Sequence, residues 1–208
     1  MKQNRAVLGI SVAAFFAVTM IAISEMPNAM AKPDANGQPD LGAVLFGFSE
    51  SSSDAKGMAM FWFDDDSNPT SIRYKIVLNK IDVGDNPGKG LDELLTNVHI
   101  HYAPSGIHQG MHLYNILGPA DDQDDGKIAG NTLTGVWDAA DIDSDWMEAE
   151  HMHHSSKPLT ALNPNGKTIL ENLCTGNTDV NIHTDANSDG AIRGVILPHS
   201  DACEKLGF

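Results

Sequence analysis

Nine histidines stand in this 208-residue chain, and three of them fall in two short alternating stretches. Asn97-Val98-His99-Ile100-His101-Tyr102-Ala103 holds His99 and His101 two positions apart, and Asp179-Val180-Asn181-Ile182-His183-Thr184 holds His183. Side chains of a strand alternate between its faces. Val98, Ile100 and Tyr102 therefore share one side of the first stretch, and His99 and His101 the other. Val180, Ile182 and Thr184 share one side of the second, and Asn181 and His183 the other. Each stretch reads as a half-buried strand with its imidazoles turned away from the apolar face, outside the core. An i, i+2 pair brings two ring nitrogens within reach of one ion, and a third histidine on a neighbouring strand closes a three-ligand site. Neutral imidazole suits copper, zinc and nickel, and copper is the favoured cofactor here, with zinc second. His108 and His112 are further candidate ligands. The alternative is that these are half-exposed surface histidines, hydrogen-bonded to backbone or carboxylates and holding loops over a sheet. Asn181 and Arg193 read as structural partners, Arg193 bridging loop carbonyls or a carboxylate such as Asp185.

A second cluster, Met147, His151, Met152, His153 and His154, lies in an acidic and histidine-rich insertion spanning 138–158. Thioether with imidazole is a soft donor set, so His151, Met152, His153 and His154 form a candidate auxiliary copper chelator. The alternative is a solvated polar insertion, partly helical from Ala139 to Glu150. Asp185-x-Asn187-x-Asp189-Gly190 imitates the opening of a calcium loop. Its twelfth position is Ile196 rather than Glu, and its flanks read as strands, so it is a turn. Asp121 to Gly126 reads as a solvated acidic turn. Ser105 and Ser155 lack a nucleophile elbow, and no glycine-rich loop opens a helix. No catalytic residues are assigned, and the balance is against an enzyme.

The elements that must position the histidines are short strands. Ala43 to Phe48, Gly57 to Phe63, Ser71 to Leu78, Val98 to Tyr102, Met111 to Leu117, Lys127 to Trp137, Val180 to Thr184 and Ile192 to Leu197 are the candidates. Ser71 to Leu78 alternates most cleanly, with Ile72, Tyr74, Ile76 and Leu78 inward and Arg73 and Lys75 outward. Gly57 to Phe63 is apolar on both sides, as in a strand covered on two faces. Leu91 to Leu95 suggests one helical turn, and Thr168 to Leu173 a short helix ended by Gly176. About eight short strands separated by turn signals predict an all-β fold, an antiparallel β-sandwich or flattened Greek-key barrel with short helical insertions.

Residues 1–31 have the layout of a signal peptide. Lys2 and Arg5 precede an uncharged run from Ala6 to Ser24, and Ala29-Met30-Ala31 supplies a cleavage site. An uncleaved anchor is the alternative, since the run nearly matches a bilayer's thickness. Residues 32–42 read as a flexible linker and 43–208 as the folded domain. The expected location is secreted, extracellular or cell-envelope, with no membrane association after cleavage. The formal charge of −15 repels nucleic acid and anionic lipid and attracts cations. The expected partners are thus a metal ion or an extracellular protein ligand. Cys174 and Cys203 are the two cysteines. An even pair in an exported chain favours a disulfide, which would close a loop of about 30 residues and stabilise by roughly 3 kcal/mol. Two buried free thiols are the alternative.

Two motifs resemble a known family. Val98-His99-Ile100-His101 followed by Ala103-Pro104-Ser105-Gly106 resembles the A-H-I-H segment of the CHRD domain, the repeat named after chordin. Val180-Asn181-Ile182-His183-Thr184, then Asp189-Gly190-Ala191-Ile192-Arg193-Gly194, resembles that domain's closing V-N-V-H-T and G-E-I-R-G. The likeness runs from about Val44 to Leu197. It departs at Ala191, where the family usually has Glu, at His112, where it tends to have a small or apolar residue, and in the 138–158 insertion. The resemblance implies an extracellular binding module. A looser pattern likeness, an H-x-H strand and a later histidine before a glycine-rich strand, connects the chain with Cu/Zn superoxide dismutase and implies a redox enzyme as the alternative. A metal-free structural or adhesion domain is the third.

Overall fold

The computed structural model describes residues 37–48, 51–84, 93–104, 111–117, 126–138, 159–160 and 165–208. Ten strands run in chain order: β1 (Leu41–Phe46), β2 (Lys56–Phe63), β3 (Ile72–Asn79), β4 (Leu95–Tyr102), β5 (Met111–Leu117), β6 (Lys127–Ala129), β7 (Thr132–Trp137), β8 (Thr178–Thr184), β9 (Ile192–Val195) and β10 (Leu197–Pro198). Among the described residues two short helices, α1 (Ile169–Cys174) and α2 (Ala202–Lys205), flank the last three strands. The fold is all-β. The strands form one antiparallel sheet in the order β5-β4-β8-β9-β1-β2-β3-β7-β6, with β10 paired to β1.

The sheet is curled around a single core, as expected of a twisted sheet with one strongly apolar face. Tyr74 on β3 donates its hydroxyl hydrogen to the carbonyl of Ile116 on β5 at 3.3 Å, although these strands lie far apart in the sheet order. Inward positions repeat every second residue. Leu41, Ala43 and Leu45 on β1, and Ile72, Tyr74, Ile76 and Leu78 on β3, are all buried. Each large side chain removed from water in this way contributes roughly 1.5–3 kcal/mol before its ordering cost. Arg73 and Lys75 take the opposite face, as the alternation requires.

Several boundaries move for identifiable reasons. β1 starts at Leu41, ahead of the expected Ala43, because Asp40 already anchors the chain. Its Oδ2 accepts the Phe63 N–H at 2.9 Å and its Oδ1 accepts the Ser200 hydroxyl at 2.9 Å, tying the entry of the domain to its exit. The single strand expected over Lys127 to Trp137 is a hairpin, β6 and β7, paired from Lys127↔Thr134 to Ala129↔Thr132. The helical turn suggested at Leu91 to Leu95 is not seen in its described part: Leu94 bridges Asp82, and Leu95 opens β4. The side chain of Asp185 captures the Leu94 N–H at 2.8 Å, and the Asp82 carbonyl takes the Leu95 N–H at 2.7 Å, so the backbone donors are used in extended pairing instead. β2 is buried on its inner face and partly covered on the other. Met60 is buried on the other side, but Met58 and Trp62 are half-exposed. The expected helix near Thr168 is α1, with the Thr168 hydroxyl capping the Glu171 N–H at 3.0 Å. α2 has no counterpart among the expected elements.

Cys174 ends α1 and Cys203 lies in α2, and the two form a disulfide with a Cα–Cα distance of 5.5 Å over a separation of 29 residues. Both are buried against the core. The partial loop from Asp121 and the 138–158 insertion lie outside the described residues, apart from Gly126 and Asp138.

Candidate metal centre

The central pairing is β4 with β8. His99 lies opposite Asn181, His101 opposite Asp179, and Asn97 opposite His183. Val98 and Ile100 of β4 and Val180 and Ile182 of β8 fill the core at 0% exposure. Alternation then forces His99, His101, Asp179, Asn181 and His183 together onto the other face.

That face is not open. His99, His101 and His183 are 7%, 5% and 8% exposed, so the expectation of half-exposed surface histidines is corrected. Period-2 patterning reports which side of the strand a residue takes, but not whether a further layer covers that side. Part of the cover is Phe48, whose ring stacks under the Arg193 guanidinium at 4.2 Å. The Ser188 carbonyl is another part, facing His183 Nδ1 at 2.7 Å.

The three rings converge. Centroid separations are 4.8 Å for His99–His183, 5.9 Å for His99–His101 and 6.3 Å for His101–His183. One ligand nitrogen from each lies within 4.8 Å of the other two. An equilateral triangle of that side has its centre about 2.8 Å from each corner, and metal–imidazole bonds are about 2.0–2.1 Å, so small ring rotations suffice to close on an ion. His183 fits the role in detail. Its Nδ1–H donates to Ser188, which leaves the Nε2 lone pair directed elsewhere, and Nε2 is buried with no hydrogen-bond partner among the described residues. A backbone carbonyl behind the ring is the ordinary means of fixing a ligand tautomer. Burial holds the His183 pKa below its usual value, against the opposing pull of the Ser188 bond and of Asp189, which keeps the imidazole in the neutral form a metal needs.

Asp179 is the buried neighbour of the triad that the residue patterning alone did not single out. It is 5% exposed, and its Oδ1 lies 3.9 Å from His101 Nδ1, beyond direct hydrogen-bond distance. Burial raises its pKa to about 6, with Arg193 opposing. The signal was present in the sequence, since Asp179, Asn181 and His183 are alternate residues of one strand.

The remaining candidates divide clearly. His112 pairs with His101 in the β4–β5 ladder, beside a register shift, and its side chain lies outside what is described. His108, Met147, His151, Met152, His153 and His154 also lie outside the described residues. Asn181 and Arg193 face each other across β8–β9. Arg193 meets Phe48, whereas Asp185, its expected carboxylate partner, caps Leu94. The Asp185–Gly190 segment is a turn. Asn187 Oδ1 accepts from the Ser52 N–H and hydroxyl, and Asn187 Nδ2 donates to Glu93.

Two glycines explain the closing motif. Gly190 has φ +119°, and a Cβ there would lie 2.5 Å from Asn181 Oδ1. A Cβ on Gly194 would lie 2.1 Å from the Val44 carbonyl oxygen, where β9 presses against β1. Only glycine satisfies both conditions.

The CHRD domain family matches residues 42–196, and the chain belongs to that family. No curated protein and no solved structure matches the chain.

Proposed function

We propose that this protein is an exported CHRD module that holds a transition metal, copper in preference to zinc, through His99, His101 and His183. The observation that carries this reading is the buried triad, with its ligand nitrogens all within 4.8 Å of one another. His183 Nε2, buried with no hydrogen-bond partner among the described residues, lacks the hydration that ordinarily compensates a buried polar nitrogen, and an ion held between the three converging rings would supply that partner. Export rests on the leader at residues 1–31, on the Cys174–Cys203 disulfide and on the extracellular character of the family. No helix among the described residues is long and apolar enough to cross a membrane. The 138–158 segment, with His151, Met152, His153 and His154, is the auxiliary chelator in this reading.

The test is elemental analysis with copper and zinc titration of the purified protein, wild type against His101→Ala. About one tight equivalent in the wild type and none in the variant is the expected result. Equal stoichiometry in the two proteins removes the site. Burial of all three rings favours storage or transport over turnover, because a redox catalyst needs an open coordination position. A dismutase assay on the copper-loaded protein checks this, with no activity above free copper expected.

A further inference from the structure

The metal reading leaves open which oxidation state of copper the site takes and which nitrogens bind it. The groups behind the rings answer both questions. His183 Nδ1 is occupied by the Ser188 carbonyl at 2.7 Å, so only Nε2 is available to an ion. His101 stands opposite Asp179 in the ladder and turns Nδ1 towards its Oδ1 at 3.9 Å. That oxygen is itself buried with no hydrogen-bond partner among the described residues. A small rotation of the His101 ring onto an ion shortens this gap to a hydrogen bond and fixes the proton on Nδ1. His183 thus has Nδ1 held from behind by an oxygen and Nε2 presented forward, and the rotation would give His101 the same arrangement.

The charge count then selects the ion. Among the described residues the cluster has three neutral ligands and no carboxylate or thiolate member. Among the described residues Asp179 stands beside it, a carboxylate at outer-sphere distance. In a water-excluded site the cost of uncompensated charge rises with its square, so a divalent ion is about four times as expensive to desolvate as a monovalent one. Zinc also wants four ligands and cupric ion a tetragonal set. Three imidazoles and one outer carboxylate satisfy a monovalent, three-coordinate ion.

Resting on the metal reading above, we infer that the triad is a Cu(I) site in which His101 and His183 ligate through Nε2 and Asp179 is the positioning residue that orients His101 and balances the ion's charge.

The experiment presents Cu(I) anaerobically to the purified protein in competition with a chromogenic Cu(I) chelator, then adds zinc. The expected result is one tightly held Cu(I) that about a hundredfold excess of Zn(II) does not displace. Because Cu(I) is diamagnetic, long-range ¹H–¹⁵N spectra of the loaded wild type read the ligand nitrogens directly. Nε2 ligation with a protonated Nδ1 is expected at both His101 and His183. Asp179→Asn should weaken Cu(I) binding roughly ten- to a hundredfold and scramble the His101 tautomer, while leaving that of His183 unchanged. The wild-type spectrum decides the nitrogens even where the variant fails to fold. Displacement of Cu(I) by zinc, tighter binding of Cu(II), or Nδ1 ligation at His101 overturns this inference and leaves the metal reading standing. Failure of every metal to bind overturns both.

Discussion

One row of the sheet crosses two environments. Phe46 on β1 pairs with Arg193 on β9, Arg193 with Asn181 on β8, and Asn181 with His99 on β4. All four belong to the face turned away from the core. Yet Phe46 is 56% exposed, while Asn181 and His99 are 5% and 7% exposed. The β1 end of this face is apolar and open, with Val44, Phe46, Val195 and Leu197 all exposed. The β4–β8 end is polar and closed. This inverts the usual assignment of apolar residues to the interior and polar ones to water. Exposed large side chains scattered on a sheet are ordinary, whereas a closed face of imidazole and carboxylate is costly unless it holds something. The informative end of the row is the buried one.

The two ends meet at the β9–β1 seam, and breaking that seam should have the largest effect. Gly194→Ala drives a Cβ into the Val44 carbonyl, against backbone that has no rotamer to yield. A loss of about 4 kcal/mol or outright misfolding is expected, read by thermal or urea unfolding. Stability within 1 kcal/mol of wild type would mean that the two ends are not rigidly joined.

Replacing Cys174 and Cys203 together with Ala should cost roughly 3 kcal/mol by releasing the loop that carries β8, β9 and β10. Denaturant midpoints under non-reducing conditions measure it. The loss should be accompanied by weaker metal binding, because β8 carries His183.

Asp179 tests the buried end in the metal-free protein. Its folded pKa of about 6 lies above the ordinary aspartate value of 3.8, so the folded state holds that proton more tightly than the unfolded chain. The contribution to stability is full below pH 3.8 and is lost as pH rises through about 6, amounting to about 3 kcal/mol. Asp179→Asn should flatten this part of the pH profile and make the metal-free protein more stable at pH 7.5 than the wild type. Unfolding curves at pH 4.5 and 7.5 check the sign. With the proposed Cu(I) effect, the variant would trade binding for stability, as expected of a functional site.

The smallest effect belongs to the open end. Phe46→Thr should change stability by no more than about 0.5 kcal/mol, since its side chain is already in water and Thr keeps the strand preference. A larger loss in the isolated protein would show that this end of the row is packed after all.

Much of the architecture was legible in the sequence. Clean alternation in Ile72 to Leu78 and in Val98 to Tyr102 identified those strands and their inner residues, because one face of each is set by the core. Turn chemistry marked the connection at Asn187 to Gly190. The hairpin within Lys127 to Trp137 was missed although Gly130-Asn131 is a two-residue turn signal, because β-branched residues continue on both sides of it. The β4–β8 pairing was inferred from the histidines and from the family likeness. The burial of Asp179 went unseen although it lies on the same face as His183, because a carboxylate on the outward side of a strand ordinarily faces water.

By itself the sequence determined the all-β class, the family, the pairing of the cysteines as the favoured state, and the side of the strand to which His99, His101 and His183 belong. These follow from local periodicity and composition, which act within a few residues. Only the tertiary structure decided that the outward side of β4 and β8 is sealed from water, that Ser188 fixes His183 from behind, and that the three rings meet. Those outcomes depend on segments distant in the chain being brought against the sheet, and on which end of one row they cover, information that no alternation pattern carries.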